Sequence, residues 1–398
     1  MKSFDEVKER ADKVMCKTYA RYPLAVKSAK GSRMWDFEGR EYIDLLTGIA
    51  VTALGHSNDE IAEAVCAQAK KFLHVSNLFY QEEQVYLAER LAATSHCGRA
   101  FFCNSGAEAN EALIKLARRY QQRVKGRDAY EIITFKQCFH GRTLATIATG
   151  QEKFQDGFLP MPEGFKSIEW GNLEALEQAI TPKTAAVLFE IVQGEGGIRP
   201  VSAEFAKGIQ ELCRKHGLLL LIDEIQAGLC RSGKWWAFQH YDLKPDAFST
   251  AKSLANGVPM GAMLCTEEAS KGFDFGSHGT TFGGNAIASA AACKTLEIME
   301  RDKLHERAEK LGQWARERFR KVGEKVPGTI REVRGLGLLI GIDLTFPGKE
   351  VWQALLAKGF VLNLTQDTVL RLLPALNIPQ EDLEAFAVAL EDVLKERR

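Results

Sequence analysis

The chain has 398 residues, and its 52 basic and 52 acidic side chains cancel to a formal charge of zero. Neither sign gathers into a long block, so the sequence lacks the basic footprint of a nucleic-acid binder. With 45% hydrophobic and 26% charged residues, it suits a globular protein with a sizeable core, long enough for a large domain and a smaller lobe.

Residues 1–10 (MKSFDEVKER) mix charges and lack the apolar core of a secretory signal, and no apolar run reaches membrane-spanning length. The nine cysteines are scattered with no Cys-x-x-Cys pair, which argues against both a disulfide framework and a zinc site. The expectation is a cytoplasmic protein with no metal and no membrane or nucleic-acid partner.

Residues 1–30 read as an N-terminal arm. In 35–46 (WDFEGREYIDLL) alternating residues flank a Glu-Gly-Arg turn, which predicts a hairpin. From about residue 58 the pattern alternates. Helical periodicity covers 58–73, 80–94, 106–122 and 202–216; short apolar strands are expected at 99–103, 131–135, 185–192, 218–222, 247–250 and 260–265. That alternation predicts a mostly parallel sheet with helices on both faces. After Gly284 a single long helix is expected over 286–322. A mixed tail follows, with strands near 329–334, 337–344, 360–364 and 369–373 and helices near 349–358 and 380–396. The division expected is an arm over 1–50 that joins a small domain, a large domain over 51–290, and a small α+β domain over 291–398.

Chemistry-bearing residues fall at the strand ends. Ser105 sits where an N-cap belongs, and the N–H groups of Gly106 and Ala107 would then face outward at the positive end of a helix, a fit for a phosphate dianion. A plain capped helix has the same signature. After the 131–135 strand come Phe139, His140, Gly141 and Arg142. The aromatic suits a flat ring and the guanidinium suits a carboxylate, although an exposed arginine paired with a surface acid reads alike. His140 reads as a hydrogen-bonded structural histidine. The stretch 190–197 (EIVQGEGG) puts Glu190 and Glu195 in a glycine-rich loop, built either for close approach to a ligand or simply for sharp turns.

The run 218–226 (LLLLIDEIQ) is continuously apolar and then ends in Asp223 and Glu224, as a strand buried on both faces does when it delivers an acid to the mouth of a sheet. The next strand, 247–250 (AFST), delivers Lys252. A buried carboxylate beside a lysine suits pyridoxal phosphate: the lysine bonds the aldehyde and the acid keeps the ring nitrogen protonated. A lysine at a solvated strand end is the alternative. Thr280 and Thr281, in a polar glycine-rich loop, offer hydroxyls to a phosphate. The stretch 335–341 (GLGLLIG) is not a dinucleotide fingerprint, because the spacing is wrong and a strand pattern follows where a helix is required.

In order and spacing, 104–110 (NSGAEAN), 139–142 (FHGR), 193–197 (QGEGG), 223–226 (DEIQ), 251–252 (AK) and 281–285 (TFGGN) resemble the class III aminotransferases, with the likeness running from Tyr19 through Arg371. The resemblance implies a fold-type I pyridoxal-phosphate transferase with a large mostly parallel α/β/α domain, a smaller α+β domain, and a homodimer with shared active sites. It implies that Lys252 is the Schiff-base lysine and proton carrier, and that Asp223 pairs with the pyridinium. Gln226 bonds the phenolic oxygen within the cofactor-binding run Asp223, Glu224, Ile225, Gln226. Phe139 stacks on the ring. Ser105, Gly106 and Ala107 hold the phosphate, with Thr281 arriving from the other subunit. Arg142, Tyr19 and Thr280 line the pocket for the donor's α-carboxylate. Arg371 binds the carboxylate of 2-oxoglutarate or glutamate, and Glu195 masks it when an ω-amino donor is bound.

The implied reaction moves the terminal amino group of N-acetylornithine to 2-oxoglutarate, a step of arginine biosynthesis. Ornithine, 4-aminobutyrate, N-succinylornithine or a lysine-pathway analogue are alternative donors, and a pyridoxal aminomutase or racemase is the more distant reading. The sequence departs from the family pattern at Ile191 and Ala286, which stand where the family has proline, and at 255–257 (ANG), where the loop is usually richer in glycine.

Overall fold

Seven strands form the central sheet of the computed structural model, which describes residues 3–397. Their spatial order is Arg99–Cys103, Gly261–Cys265, Ala247–Thr250, Leu219–Asp223, Thr184–Glu190, Glu131–Phe135 and Phe165–Ile168. Gly261–Cys265 runs antiparallel to both neighbours and the other six run together. Every residue of Thr184–Glu190 and of Leu219–Asp223 is buried, which is why both read as unbroken apolar runs rather than as alternation.

The helices Asp59–Lys71, Glu82–Ala93, Gly106–Arg119 and Ala203–His216 lie where periodicity places them. Asn58, Ser105 and Ser202 cap three of them, each side chain accepting an N–H from the first turn. The strand Phe165–Ile168 and the helix Leu173–Ala179 are additions to the expected list. The strand is short and only partly buried at the sheet edge, so its four residues carry no apolar run to betray it.

Two expectations need correction. The single helix over 286–322 is two, Ala286–Arg301 and Leu304–Lys325, separated at Lys303, whose φ of 48° is left-handed. No glycine or proline marks the break. The first helix packs on Asp59–Lys71 and Glu82–Ala93, the second on the strand Ile330–Leu336, and the chain turns between these two supports. Ala286, in the family's proline position, is the first helical residue, and the Asn285 side chain caps the helix by accepting the Ala288 N–H. The strand expected at 360–364 also divides. Phe360–Val361 and Asn363–Thr365 belong to different sheets, and the carbonyl of Leu362 between them accepts from Trp352 Nε1 and Tyr22 Oη.

The antiparallel sheet Ile330–Leu336, Leu339–Leu344, Val369–Leu372, Asn363–Thr365 presents Arg371 near the centre of its third strand. The hairpin Arg33–Asp36 and Glu41–Asp44 is joined on one side by Val26–Lys30. On the other side Phe360–Val361 pairs parallel to Glu41–Asp44, so early and late parts of the chain share a sheet. Among the described residues no helix is long and apolar enough to cross a membrane.

Where the Leu304–Lys325 helix meets the turn before Leu339, backbone touches backbone: a Cβ on Gly312 would lie 1.9 Å from the Gly337 carbonyl oxygen. Gly312→Ala should therefore destabilise the protein by about 1–3 kcal/mol through overpacking, against alanine's better helix propensity, as a lowered midpoint of chemical unfolding.

Candidate active site

The C-terminal ends of two neighbouring parallel strands set up the site. Asp223 ends Leu219–Asp223 and pairs in register with Ser249 on Ala247–Thr250; Lys252 follows two residues past that strand's end. Lys252 adopts φ 46°, a left-handed conformation that costs energy for a residue with a side chain. Its neighbour helps hold it there, since Ser253 Oγ donates to the Ala50 carbonyl at 2.9 Å.

Ala50 itself ends a run of four left-handed residues, Thr47, Gly48, Ile49 and Ala50, with φ between 50° and 68°. Such runs are rare for L-residues, and this one is anchored at both ends. The Asp44 carboxylate accepts the N–H groups of Leu46 and Thr47, and Thr47 Oγ1 donates to the Leu373 carbonyl at 2.6 Å. The run delivers Val51 to the rim of a cavity of about 380 Å³ at the strand ends.

Ser105, Gly106 and Ala107 form one wall of that cavity and Phe139 another. Asp223, Ile225, Gln226, Lys252 and Glu195 complete the set that the structure brings together. Glycines make the walls close. A Cβ on Gly106 would lie 2.8 Å from Ile225 Cδ1, and one on Gly194 would lie 2.2 Å from Gln226 Oε1. Ser105 Oγ accepts the Glu108 N–H, and an α-helix leaves the N–H groups of its first turn without internal acceptors. The wall at Gly106 and Ala107 is therefore positively polarised.

Charge is concentrated here. Burial, with Arg371 adding to it, pushes the Lys252 amine down to about 8, against the pull of Glu195, Asp223 and Glu190. Arg371 is buried; its Nη1 lies 2.5 Å from Glu195 Oε1 and 3.5 Å from Gln226 Oε1, while Nε donates to Asn363 Oδ1 at 3.0 Å. Burial alone would raise the Glu195 carboxyl, but Arg371 holds it below the usual carboxylate range. Burial raises Glu190, whose carboxyl accepts the N–H groups of Phe139 and Gly194 and so joins the loop of the aromatic to the loop of Glu195.

Asp223 Oδ2 lies 2.7 Å from both Asn110 Nδ2 and His140 Nδ1, and Oδ1 accepts the Ile225 N–H at 2.9 Å. Burial works against a charged His140, yet Cys138 and Asp223 beside it outweigh that and raise its pKa well above the ordinary histidine value. Sequence reasoning passed over Asn110 and Ser249. Asn110 is a polar residue on an otherwise apolar helix face, and that misfit was the available signal. Nothing in the sequence announces Val51.

Other expected residues lie elsewhere. The Glu224 side chain is not part of the cavity lining; its buried carboxyl accepts the N–H groups of Ala237 and Phe238, and burial pushes it up to about 8. Arg142 is exposed, with its guanidinium 4.1 Å from the Phe154 ring centroid and 5.4 Å from that of Phe139. Tyr19 is exposed on the arm. Thr280 Oγ1 accepts from Asn104 Nδ2 at 3.1 Å, one residue from Ser105, and Thr281 is exposed beside it. Within one chain, these four stand outside the cavity lining.

An amine of lowered proton affinity, a buried carboxylate, an aromatic wall and a helix N-terminus around one cavity match the aldehyde, ring nitrogen, ring face and phosphate of pyridoxal phosphate. Residues 14–394 match the family described as aminotransferase class-III. The chain belongs to that family. Its members are pyridoxal-phosphate enzymes, and the residues here fit that cofactor. Acetylornithine aminotransferase of Methanocaldococcus jannaschii is 44% identical over 379 residues, covering 95% of each chain. That of Myxococcus xanthus is 43% identical over 96% of each. Among solved structures, ornithine aminotransferase from Toxoplasma gondii ME49 superposes with a TM-score of 0.96 at 31% identity, covering 100% of this chain and 97% of that one. Acetylornithine aminotransferase from Elizabethkingia anophelis superposes with a TM-score of 0.88 at 32% identity over 100% of both.

A neutral amine is the nucleophile toward an aldehyde. Covalent capture of pyridoxal phosphate by the cofactor-free aminotransferase should therefore accelerate as pH rises, with a midpoint near 8. Stopped-flow absorbance measures it, and a midpoint near the ordinary lysine value of 10.5 would contradict the electrostatics described here.

Proposed function

We propose that this class III aminotransferase takes the terminal amino group of N-acetylornithine and gives it to 2-oxoglutarate, forming N-acetylglutamate semialdehyde and glutamate. The observation that carries ω-amino transfer is the buried Arg371–Glu195 pair beside Lys252. The choice of N-acetylornithine is supported by relatives of that name at 40–44% identity over nearly the whole chain.

Bound pyridoxal phosphate supplies an aldehyde to carry the amino group and a ring to accept electrons. The residues divide the remaining work. Lys252, with its amine at about 8, takes and returns a proton at the carbon bearing the amino group. Asp223 would hold the proton of the ring nitrogen, and Phe139 would pack against the ring. Ser105, Gly106 and Ala107 would hold the phosphate, and Gln226, beside Ile225, would hydrogen-bond the phenolic oxygen.

Arg371 meets the carboxylate of 2-oxoglutarate, a bidentate contact that suits a guanidinium. When an ω-amino donor occupies the cavity, Glu195 neutralises Arg371 and the donor's own carboxylate goes to Arg142, with Tyr19 and Thr280 at the mouth. Glu195 must leave Arg371 for the second substrate to bind. One site thereby accepts two amino acids of different shape.

The active unit is read as a homodimer. Leu78, Phe79 and Tyr80 are exposed, as are Phe275 and Phe282, and Asn77 bonds to the carbonyls of Thr280 and Gly283 bring the two segments together. An apolar face of this extent suits a second copy, which would carry Thr281 to the neighbouring phosphate. The nine free cysteines suit a reducing cytoplasm.

Half-reaction spectra against a panel of ω-amino acids test the donor. N-acetylornithine should react fastest; free ornithine is the second reading, favoured by the superposition on ornithine aminotransferase, and a faster ornithine reaction would replace the first. Arg371→Ala should weaken 2-oxoglutarate by roughly 10–100-fold, the cost of losing a charged hydrogen-bonded partner, and Arg142→Ala should chiefly weaken the donor. Glu195→Ala should favour the glutamate half-reaction over the donor's, and equal effects on both would remove the switch. An inactive Lys252→Ala chain mixed with an inactive Thr281→Ala chain should regain part of the activity through hybrid dimers. A fully active monomer by light scattering would contradict the shared site.

A further inference from the structure

Behind the cavity wall, Asp223 belongs to a buried polar chain that the scheme above does not use. Asn110, fully buried on the Gly106–Arg119 helix, donates from Nδ2 to Asp223 Oδ2 and to the His140 carbonyl, each at 2.7 Å. Ser249, also fully buried, donates from Oγ to Asn110 Oδ1 at 2.7 Å, from the strand position paired with Asp223. The order Ser249, Asn110, Asp223, His140 links a strand, a helix, a second strand and the loop that carries Phe139.

The amide can satisfy this chain in one orientation only. Turned over, its oxygen would face the His140 carbonyl and the Asp223 carboxylate, two acceptors, and would repel both. The Ser249 hydroxyl, by donating to Oδ1, holds the amide the right way round. Asp223 then has Asn110 and His140 on one oxygen and the Ile225 N–H on the other. A carboxylate held on both oxygens does not turn on its side-chain bonds, and it meets a partner in the cavity without reorganising.

We propose that Asn110 and Ser249 are positioning residues for the transamination, fixing the Asp223 carboxylate against the ring nitrogen of the cofactor. The proposal rests on the reading of Asp223 given above. It separates from substrate binding, because Glu195, Arg371 and Arg142 share no hydrogen bond with this chain of groups. Loss of either residue should act on the cofactor's electronics and leave recognition of the amino donor alone.

The test uses Asn110→Ala, Ser249→Ala and, alongside them, Asp223→Ala. Three quantities are read: the affinity of the cofactor-free protein for pyridoxal phosphate, the pH titration of the bound cofactor's visible absorption, and kcat and KM for the donor. Asn110→Ala should weaken cofactor binding and lower kcat, each by roughly 10–100-fold, the effect of removing a hydrogen bond to a charged group, and should shift the spectral titration with KM unchanged. Ser249→Ala should move the same quantities in the same direction by less. Thermal melting of the cofactor-free variants is the control for packing. If both variants lower the melting temperature but leave affinity, titration and kcat as in the wild type, while Asp223→Ala cripples all three, the pair only supports the fold and the proposal falls. If Asp223→Ala is itself harmless, the reading of Asp223 fails and takes this inference with it. Should Asn110→Ala not fold, Ser249→Ala removes a single hydroxyl and decides by the same measurements.

Discussion

The charge balance around Lys252 is what the rest of this site depends on. An amine and three carboxyl groups line one cavity, with the buried Arg371 guanidinium bonded to Glu195 behind it, in surroundings where an unpaired charge would cost several kcal/mol. Each ion therefore needs a partner. Arg371 has Glu195, Asp223 has Asn110 and His140, and Glu190 takes two backbone N–H groups. Among the described residues Lys252 has no such partner, and burial with Arg371 nearby brings its amine down to about 8. A lysine held this way serves as nucleophile and proton carrier in turn, whereas a fully paired lysine would be inert.

Backbone shape turns that balance into a binding site. Gly106 lets Ile225 approach the helix N-terminus, and Gly194 lets Gln226 approach the loop of Glu195. Glu190 ties this loop to the one that carries Phe139. The aromatic wall, the masking acid and the group facing the phenolic oxygen are thus parts of one frame, and a change in any of them is felt by the others.

Much of this was legible in the sequence. The run 218–226 declared a strand buried on both faces because such burial removes alternation, the strand expected at 185–192 is its neighbour in the sheet, and the acid and lysine at strand ends stood out against them. The helix break at Lys303 was not legible, since its cause is a change of packing support and not a helix-breaking residue. The different surroundings of Asp223 and Glu224 were not legible either, since the N–H groups that Glu224 accepts come from Ala237 and Phe238, brought to it only by the fold. Asn110 was overlooked for a similar reason: its partners, Asp223 and Ser249, are distant in sequence and adjacent only once the sheet has formed.

The left-handed run at Thr47–Ala50 has a bearing on how the molecule is assembled. Thr47 bonds the Leu373 carbonyl, Leu45 exchanges backbone bonds with Val361 and Leu373, and Ala50 receives Ser253. Two segments are thus fastened together across a separation of more than three hundred residues, from Ile43 to Phe360. Closing so long a loop is slow and yields no contact until it is complete. On the ribosome the central sheet can form while this closure waits. The strained turn that braces the lysine loop is set only after Phe360 to Leu373 emerge, so a chain cut before them would keep the central sheet and lose a competent site.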